Sequence, residues 1–259
     1  MIVLRVCAVI AALGLAGFAS YEVSEQPGNQ LFGHTLTQGP ANERVVALTY
    51  DDGPNPPYTS RILEVLEHEH VHATFFLVGR AVQAYPETVR REVRDGDAIG
   101  NHTWDHSHLI VLPPAQVIQS IQRTDAAIRA AAGVQTRLLR PPYGSRDWIV
   151  MQAAQRLGYT VVMWSTPLAR DWEYPSAGLI AQRVLRGVGD GSIVVLHDGN
   201  RGLLCAAQHM SPHLCDRNAD IAATRLIVDQ LRKRGYRFVT IPELISGGRA
   251  MHTRARGVE

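Results

Sequence analysis

Two adjacent carboxylates, Asp51 and Asp52, follow the apolar run at 45–50 (VVALTY). Carboxylates side by side at the end of a buried strand repel one another, and desolvation adds to the cost. A bound cation together with an arginine relieves both charges at once. A helix cap plus an arginine partner is the structural alternative. Successive residues at a strand end point to different sides, so one carboxylate can ligate a metal while its neighbour faces a substrate. Further along, His102 and His106 stand four residues apart. On a helical turn both rings lie on one side and reach a single ion. Alone, that spacing says little in a chain with 11 histidines, where solvated loop histidines are the default. Position 103 is Thr, so the H-E-x-x-H form of the zinc proteases is absent. Arg140, Asp171 and His197 complete the residues of catalytic type.

All of these stand just after apolar runs, and those runs alternate with amphipathic ones. Strands are expected at 45–50, 73–78, 98–100, 137–139, 160–164, 193–196 and 237–240. Helices are expected at 58–70, at 86–95 opened by Pro86, at 115–132, at 147–157 with Asp147 as N-cap, at 177–186 and at 219–234. Continuous apolar strands separated by helices mean a parallel sheet covered on both faces. Seven such units suit a (β/α) barrel or a doubly wound sheet. No glycine-rich phosphate-binding motif follows any strand, which weakens the second option. In a parallel barrel every strand end opens on one face, the face where active sites lie. Asp51 and Asp52, His102 and His106, Arg140, Asp171 and His197 come from five such ends.

The 259 residues are 46% hydrophobic and 19% charged, enough for a sizeable core, which excludes disordered and collagen-like classes. A net charge of +2 gives no footprint for nucleic acid. Residues 1–19 (MIVLRVCAVIAALGLAGFA) read as a signal peptide or an N-terminal anchor. Either way the rest of the chain crosses a membrane, to a periplasmic, cell-envelope or extracellular location, and stays on the membrane only if the segment is uncleaved. Residues 20–43 are polar and aperiodic and read as a linker, 44–246 as the barrel domain, and 247–259 as a flexible tail. Cys205 and Cys215 are the only cysteines left beyond the leader, and an oxidising compartment favours their pairing. They lie in an irregular insertion at 201–217, read as a determinant of substrate choice or as an inert surface loop. Nothing in the sequence reports oligomeric state.

TYDDGP at 49–54 with HTWDH at 102–106 resembles the polysaccharide deacetylases, the NodB-homology enzymes of carbohydrate esterase family 4. RPPYG at 140–144, ARDW at 169–172 and VLHDG at 195–199 look like the family's remaining motifs, in family order. The resemblance implies a distorted (β/α) barrel, usually of seven parallel strands. It implies removal of N- or O-acetyl groups from a polysaccharide such as peptidoglycan, chitin or acetylxylan. It implies a divalent metal, zinc or else cobalt or another divalent ion, held by Asp52, His102 and His106. Asp51 then matches the catalytic base and Arg140 the arginine that holds it. The Tyr143 backbone N–H matches an oxyanion donor, and His197 matches the general acid oriented by Asp171. Trp172 lines the site, and Val195 stands in the acetyl-methyl pocket where Leu is commoner. The stretch at 164–169 lacks the extra acidic residue many members carry ahead of Asp-Trp, and Tyr50 replaces the commoner Phe. Two other classes remain in view. One is a carbohydrate-binding module on the same barrel, disfavoured because Asp51 and His197 are both present. The other is a metal-dependent amidase acting on a small non-sugar amide.

Overall fold

Seven parallel strands make one curled sheet in the computed structural model, which describes residues 24–166, 168–205 and 211–247. They are β1 (Val45–Asp51), β2 (Thr74–Leu77), β3 (Ala98–Asn101), β4 (Leu138–Leu139), β5 (Thr160–Val161), β6 (Ser192–His197) and β7 (Arg237–Phe238). The lateral order is β5-β4-β3-β2-β1-β6. One edge of β1 is shared: β2 pairs with Thr49–Asp51, and β7 pairs with Val45 and Val46. The connecting helices are α1 (Tyr58–His68), α2 (Gly79–Ala84), α3 (Pro86–Arg94), α4 (Pro114–Ala132), α5 (Trp148–Arg156), α6 (Ala177–Gly187), α7 (Asn218–Lys233) and α8 (Ile241–Ile245). The fold is a distorted (β/α) barrel.

Alternation along the strands explains why they read as unbroken apolar runs. Val46, Leu48 and Tyr50 of β1, with Val194 and Leu196 of β6, pack into one core cluster with α1, α6 and α7. Val45 and Ala47, with Ile193 and Val195, pack into the other. Both faces are therefore buried, as a helix-covered parallel sheet requires. By the same parity Asp51 and His197 continue the second series. Local signals fix the helix ends. The Asp147 carboxylate accepts from Val150 N at 2.9 Å and opens α5. Thr240 and Glu243 form a reciprocal capping box at α8.

Two expectations change. The strand expected at 160–164 stops at Val161 as a sheet strand, because the backbone beyond it turns to a different partner. Met163 N donates to Leu36 O at 2.7 Å, and Leu36 N to Val161 O at 2.8 Å. Gln38 bridges Ser192 on the far side. Residues 36–38 thus fill the gap between β5 and β6, so the described part of the stretch expected as a linker is packed on the barrel. Arg146 reinforces this, its guanidinium donating to the carbonyls of Ser24, Gln26, Pro27 and Asn29. Such pairing is backbone-driven and leaves no periodicity to read. Helix α2 leaves no sequence signal: six residues are too short for a helical stripe, and its N-cap, Val78, makes no side-chain cap. The leader expected at 1–19 and the tail at 247–259, apart from Gly247, lie outside the described residues. Among the described residues no helix is long and apolar enough to cross a membrane.

Cys205 and Cys215 are joined by a disulfide with their Cα atoms 5.9 Å apart. Closing a loop of this length stabilises by about 2–3 kcal/mol. Thiol titration of the denatured, unreduced protein purified from an oxidising compartment should find Cys205 and Cys215 unreactive. Two titratable thiols at these positions would contradict the pairing.

Candidate active site

Strand register brings the chemistry to one line. Asp51 is paired with His197 across β1 and β6, and with Phe76 across β1 and β2. Leu77 is paired with Asn101, and Asn101 with Leu139. His102 and Arg140 each follow directly on those last residues. Five strand ends therefore open on one cleft of about 650 Å³, lined among others by Asp51, Asp52, His102, His106, Tyr143, Trp172, Val195 and His197.

The neighbouring aspartates are split. Asp51 Oδ1 accepts from Arg140 Nη1 at 2.7 Å. Arg140 is fully buried, and its guanidinium also donates to Thr49 Oγ1, Val162 O and Met163 O. Its guanidinium also lies 4.1 Å from the Phe76 ring centroid. Burial pulls Arg140 below its ordinary pKa, and Asp51 opposes that shift. Asp52 turns the other way. Its Oδ1 lies 3.1 Å from His106 Nε2 and 3.4 Å from His102 Nε2. Its Oδ2 accepts from Arg201 N at 2.6 Å. Burial pushes the Asp52 carboxyl up, but the His106 and His102 rings bring it well below the usual carboxylate range.

The chain bends to make this possible. Asp52 has φ 80°, Thr103 φ 68°, His106 φ 60° and Tyr143 φ 61°. With Arg201 at φ 48°, five non-glycine residues in the left-handed region line or flank one cleft, strain of the kind concentrated at functional sites. The histidine pair is not on a helical turn, as the spacing suggested. It sits in a loop after β3 whose two positive-φ residues bring the rings to 5.0 Å. Two glycines permit the close approach of β1 to β6. A Cβ on Gly53 would lie 2.0 Å from Asp198 Oδ2, and one on Gly199 would lie 2.4 Å from Asp52 O. Asp198 N and Gly199 N both donate to Asp51 O.

Asp52, His102 and His106 fit a divalent cation. Their ligand atoms all lie within 4.8 Å of one another, and all three residues are buried. Asp52 Oδ1 is buried with no hydrogen-bond donor. His102 Nδ1 is 2.7 Å from Arg140 O, so it carries the proton and leaves the Nε2 lone pair aimed at Asp52. Nitrogen and carboxylate donors in a set of three suit zinc-like ions and leave coordination positions open.

The second half of the cleft comes from the later strands. His197 Nδ1 is 2.9 Å from Asp171 Oδ1, and His197 N donates to Asp171 Oδ2 at 2.7 Å. Burial disfavours charge on this ring, yet Asp171 outweighs it and carries the pKa up to about 9. Asp171 itself is pushed up by burial and brought down to about 2 by His197. Trp172 meets the His197 ring edge-on at 5.4 Å. Val195 is buried in the cleft wall. Tyr143 stacks on His108 at 3.6 Å and meets His106 at 4.6 Å.

Other cleft residues are not singled out by the sequence. Glu25 comes from the segment read as linker, Asn200 from the turn after β6, and Arg201, Leu203 and Leu214 from the 201–217 insertion, which was read only as a whole. Nothing in its spacing distinguishes His108 among the 11 histidines. Thr49, which receives Arg140 and donates to Val194 O at 2.6 Å, stands inside TYDDGP and was legible only as part of that motif.

Comparison with known proteins follows from this geometry. A sequence model of the polysaccharide deacetylase family matches residues 38–162. A peptidoglycan-N-acetylglucosamine deacetylase of Bacillus cereus is 35% identical over 82% of this chain and 93% of its own length. The corresponding protein PgdA of Listeria monocytogenes is 34% identical over 78% of this chain, which spans 39% of PgdA. A solved peptidoglycan N-acetylglucosamine deacetylase superposes with a TM-score of 0.73 at 32% identity, covering 81% of this chain and 92% of the other.

Replacing any one of Asp52, His102 or His106 by Ala leaves two protein donors, which hold a divalent ion poorly. Each variant should bind zinc at least about tenfold more weakly, with an unchanged circular dichroism spectrum, because the barrel core does not involve these side chains. Elemental analysis after dialysis checks this, and full zinc occupancy in His102→Ala would refute the donor set.

Proposed function

The chain belongs to the polysaccharide deacetylase family, and from that premise we propose that it is a metal-dependent hydrolase removing acetyl groups from a polysaccharide. The substrate class is N-acetylated sugar in a polymer such as peptidoglycan or chitin, with O-acetyl sugars as the second form. The observation that carries the reading is the single cleft with an arginine-held carboxylate and a cation-ready triad on one side and a carboxylate-held histidine on the other. Zinc is the proposed ion, with cobalt or another divalent ion able to occupy the same donors. When bound, such an ion polarises the acetyl carbonyl and makes water more acidic.

The chain's own residues perform the rest. Asp51, held in place by Arg140, takes a proton from the attacking water. Arg140 has no freedom to leave, because Thr49 and two backbone carbonyls fix it. The Tyr143 backbone N–H supports the negative charge that develops on the acetyl oxygen. An amine leaves poorly unless protonated, so an acid is needed on the leaving-group side. His197, charged through Asp171, supplies that proton from Nε2, since Nδ1 is held by Asp171. Trp172 and Tyr143 offer ring faces and edges to a sugar, and Val195 an apolar wall to the acetyl methyl. Export through the 1–19 segment, with the barrel at 44–246, fits a polymer of the cell envelope.

Acetate release should be measured on N-acetylglucosamine oligomers, peptidoglycan and acetylxylan, with chelator and after zinc is restored. Release from at least one substrate, lost with chelator and recovered with zinc, is the expected result. No release from any of them would overturn the reading. Asp51→Asn keeps the shape but cannot accept the proton, and a lost general base costs about 10²–10⁴ in rate. Acetate release by this variant within a few-fold of wild type would exclude Asp51 as the base.

The pH dependence has a definite sign. The acid must be protonated, and its pKa is raised, so activity should persist through neutral pH and fall as pH rises through about 9. Asp171→Asn removes the charge that raises it, so the alkaline limb should move toward lower pH. An unmoved limb in kcat/KM profiles of the two proteins would disconnect His197 from that limb.

A further inference from the structure

The start of α2 touches each backbone segment that carries a cation donor. Val78, its N-cap, donates from its N–H to Gly53 O at 2.9 Å, one residue after Asp52. Gly79 N donates to Thr103 O at 2.9 Å, and Arg80 N to Trp104 O at 3.0 Å, both inside the loop between His102 and His106. A helix start leaves its first N–H groups without intrahelical partners, so they are free for this use. The contact is close: a Cβ on Gly79 would lie 2.6 Å from Trp104 Cε3. Trp104 is held further by Ser120, whose Oγ accepts from its backbone N–H at 2.9 Å, and by the Arg123 guanidinium 3.6 Å from its ring centroid.

The Arg80 side chain extends the same clasp to a third segment. Its Nε donates to Gly202 O at 2.7 Å and its Nη2 to Arg201 O at 3.4 Å. Arg201 sits at φ 48° and Gly202 at φ 63°, and a Cβ on Gly202 would lie 2.4 Å from Val78 Cγ1. The turn is thereby pressed onto the start of α2, with the Arg201 N–H aimed at Asp52 Oδ2, 2.6 Å away. That bond occupies one carboxylate oxygen and leaves the other, Oδ1, facing the two imidazoles.

We propose that Arg80 is a positioning residue for the cation site: by holding the 201–202 turn it sets the Arg201 N–H against Asp52 and fixes which Asp52 oxygen is offered to the ion. A carboxylate free to rotate must be ordered when an ion binds, at a cost in affinity; one already held by an N–H is not. The start of the 201–217 insertion therefore belongs to the surroundings of the donors. Its far end is tied back as well, since Asn200 Nδ2 donates to Leu214 O at 2.7 Å and the Cys205–Cys215 disulfide closes the loop. The inference rests on reading Asp52, His102 and His106 as cation donors.

Calorimetric zinc titration of the metal-free full chain, with hydrogen exchange read by mass spectrometry on the same protein, tests this without any activity. Arg80→Ala should bind zinc about threefold or more weakly than wild type, and in the metal-free protein the segment containing the Arg201 amide should exchange faster. Arg80→Lys, whose ammonium is a single point charge in place of a fork, should fall between the two. A merely structural loss would weaken zinc binding whatever stands at position 52. In Asp52→Ala no carboxylate remains to be set, so adding Arg80→Ala to it should cost little further. Equal zinc affinity in wild type and Arg80→Ala, unchanged exchange at Arg201, or the same loss from Arg80→Ala with and without Asp52 would each overturn the proposal and leave the donor set standing. A wild type that takes up no zinc would overturn the donor set and this inference with it. Circular dichroism checks the fold of Arg80→Ala, and if that variant does not fold, Arg80→Lys carries the same comparisons.

Discussion

The chain must hold two adjacent carboxylates at the end of a strand buried on both faces, and most of the site is a response to that constraint. Asp51 and Asp52 cannot share one environment without strong repulsion. Arg140 takes Asp51, and the His102–His106 pair with the Arg201 N–H takes Asp52. This division requires a left-handed turn at Asp52, glycines at 53 and 199 to let the strand ends touch, and two more left-handed residues in the histidine loop. An arginine without exposure is tolerable because every direction it points in offers an oxygen or an aromatic face.

The opposite wall sets a buried carboxylate against an imidazole. Asp171 is buried and faces both the ring and the backbone N–H of His197. Both halves of the cleft hold buried carboxylates and offset them by different means: a guanidinium and a cation site on one side, an imidazolium on the other. Residues up to 144 supply the side chains of the first half and residues from 164 onward those of the second, with the Arg201 N–H reaching across to Asp52. Register between β1 and β6, with Asp51 opposite His197, is what joins them.

The fold was legible because buried parallel strands write themselves as continuous apolar runs, as in VVALTY and IVVL. Helix starts were legible where a cap is a side chain, as at Asp147. What stayed hidden was structure made by backbone alone. Residues 36–38 close the barrel through main-chain pairing, and nothing in their side chains announces it. The histidine loop was misjudged as a helical turn for the same reason, since spacing reports which side chains meet but not the φ angles that bring them there. The grouping of Asp51, Asp52, His102, His106 and Arg140 was readable as strand-end chemistry.

The central claim is that the two aspartates are divided, one to a cation and one to an arginine. Calorimetric titration of zinc into Asp51→Asn and Asp52→Asn, two substitutions of equal size at neighbouring positions, separates them most directly. Asp52→Asn should lose affinity by about tenfold or more, while Asp51→Asn stays within a few-fold of wild type. Equal weakening in the two proteins, or a larger loss in Asp51→Asn, would contradict the division and the roles built on it.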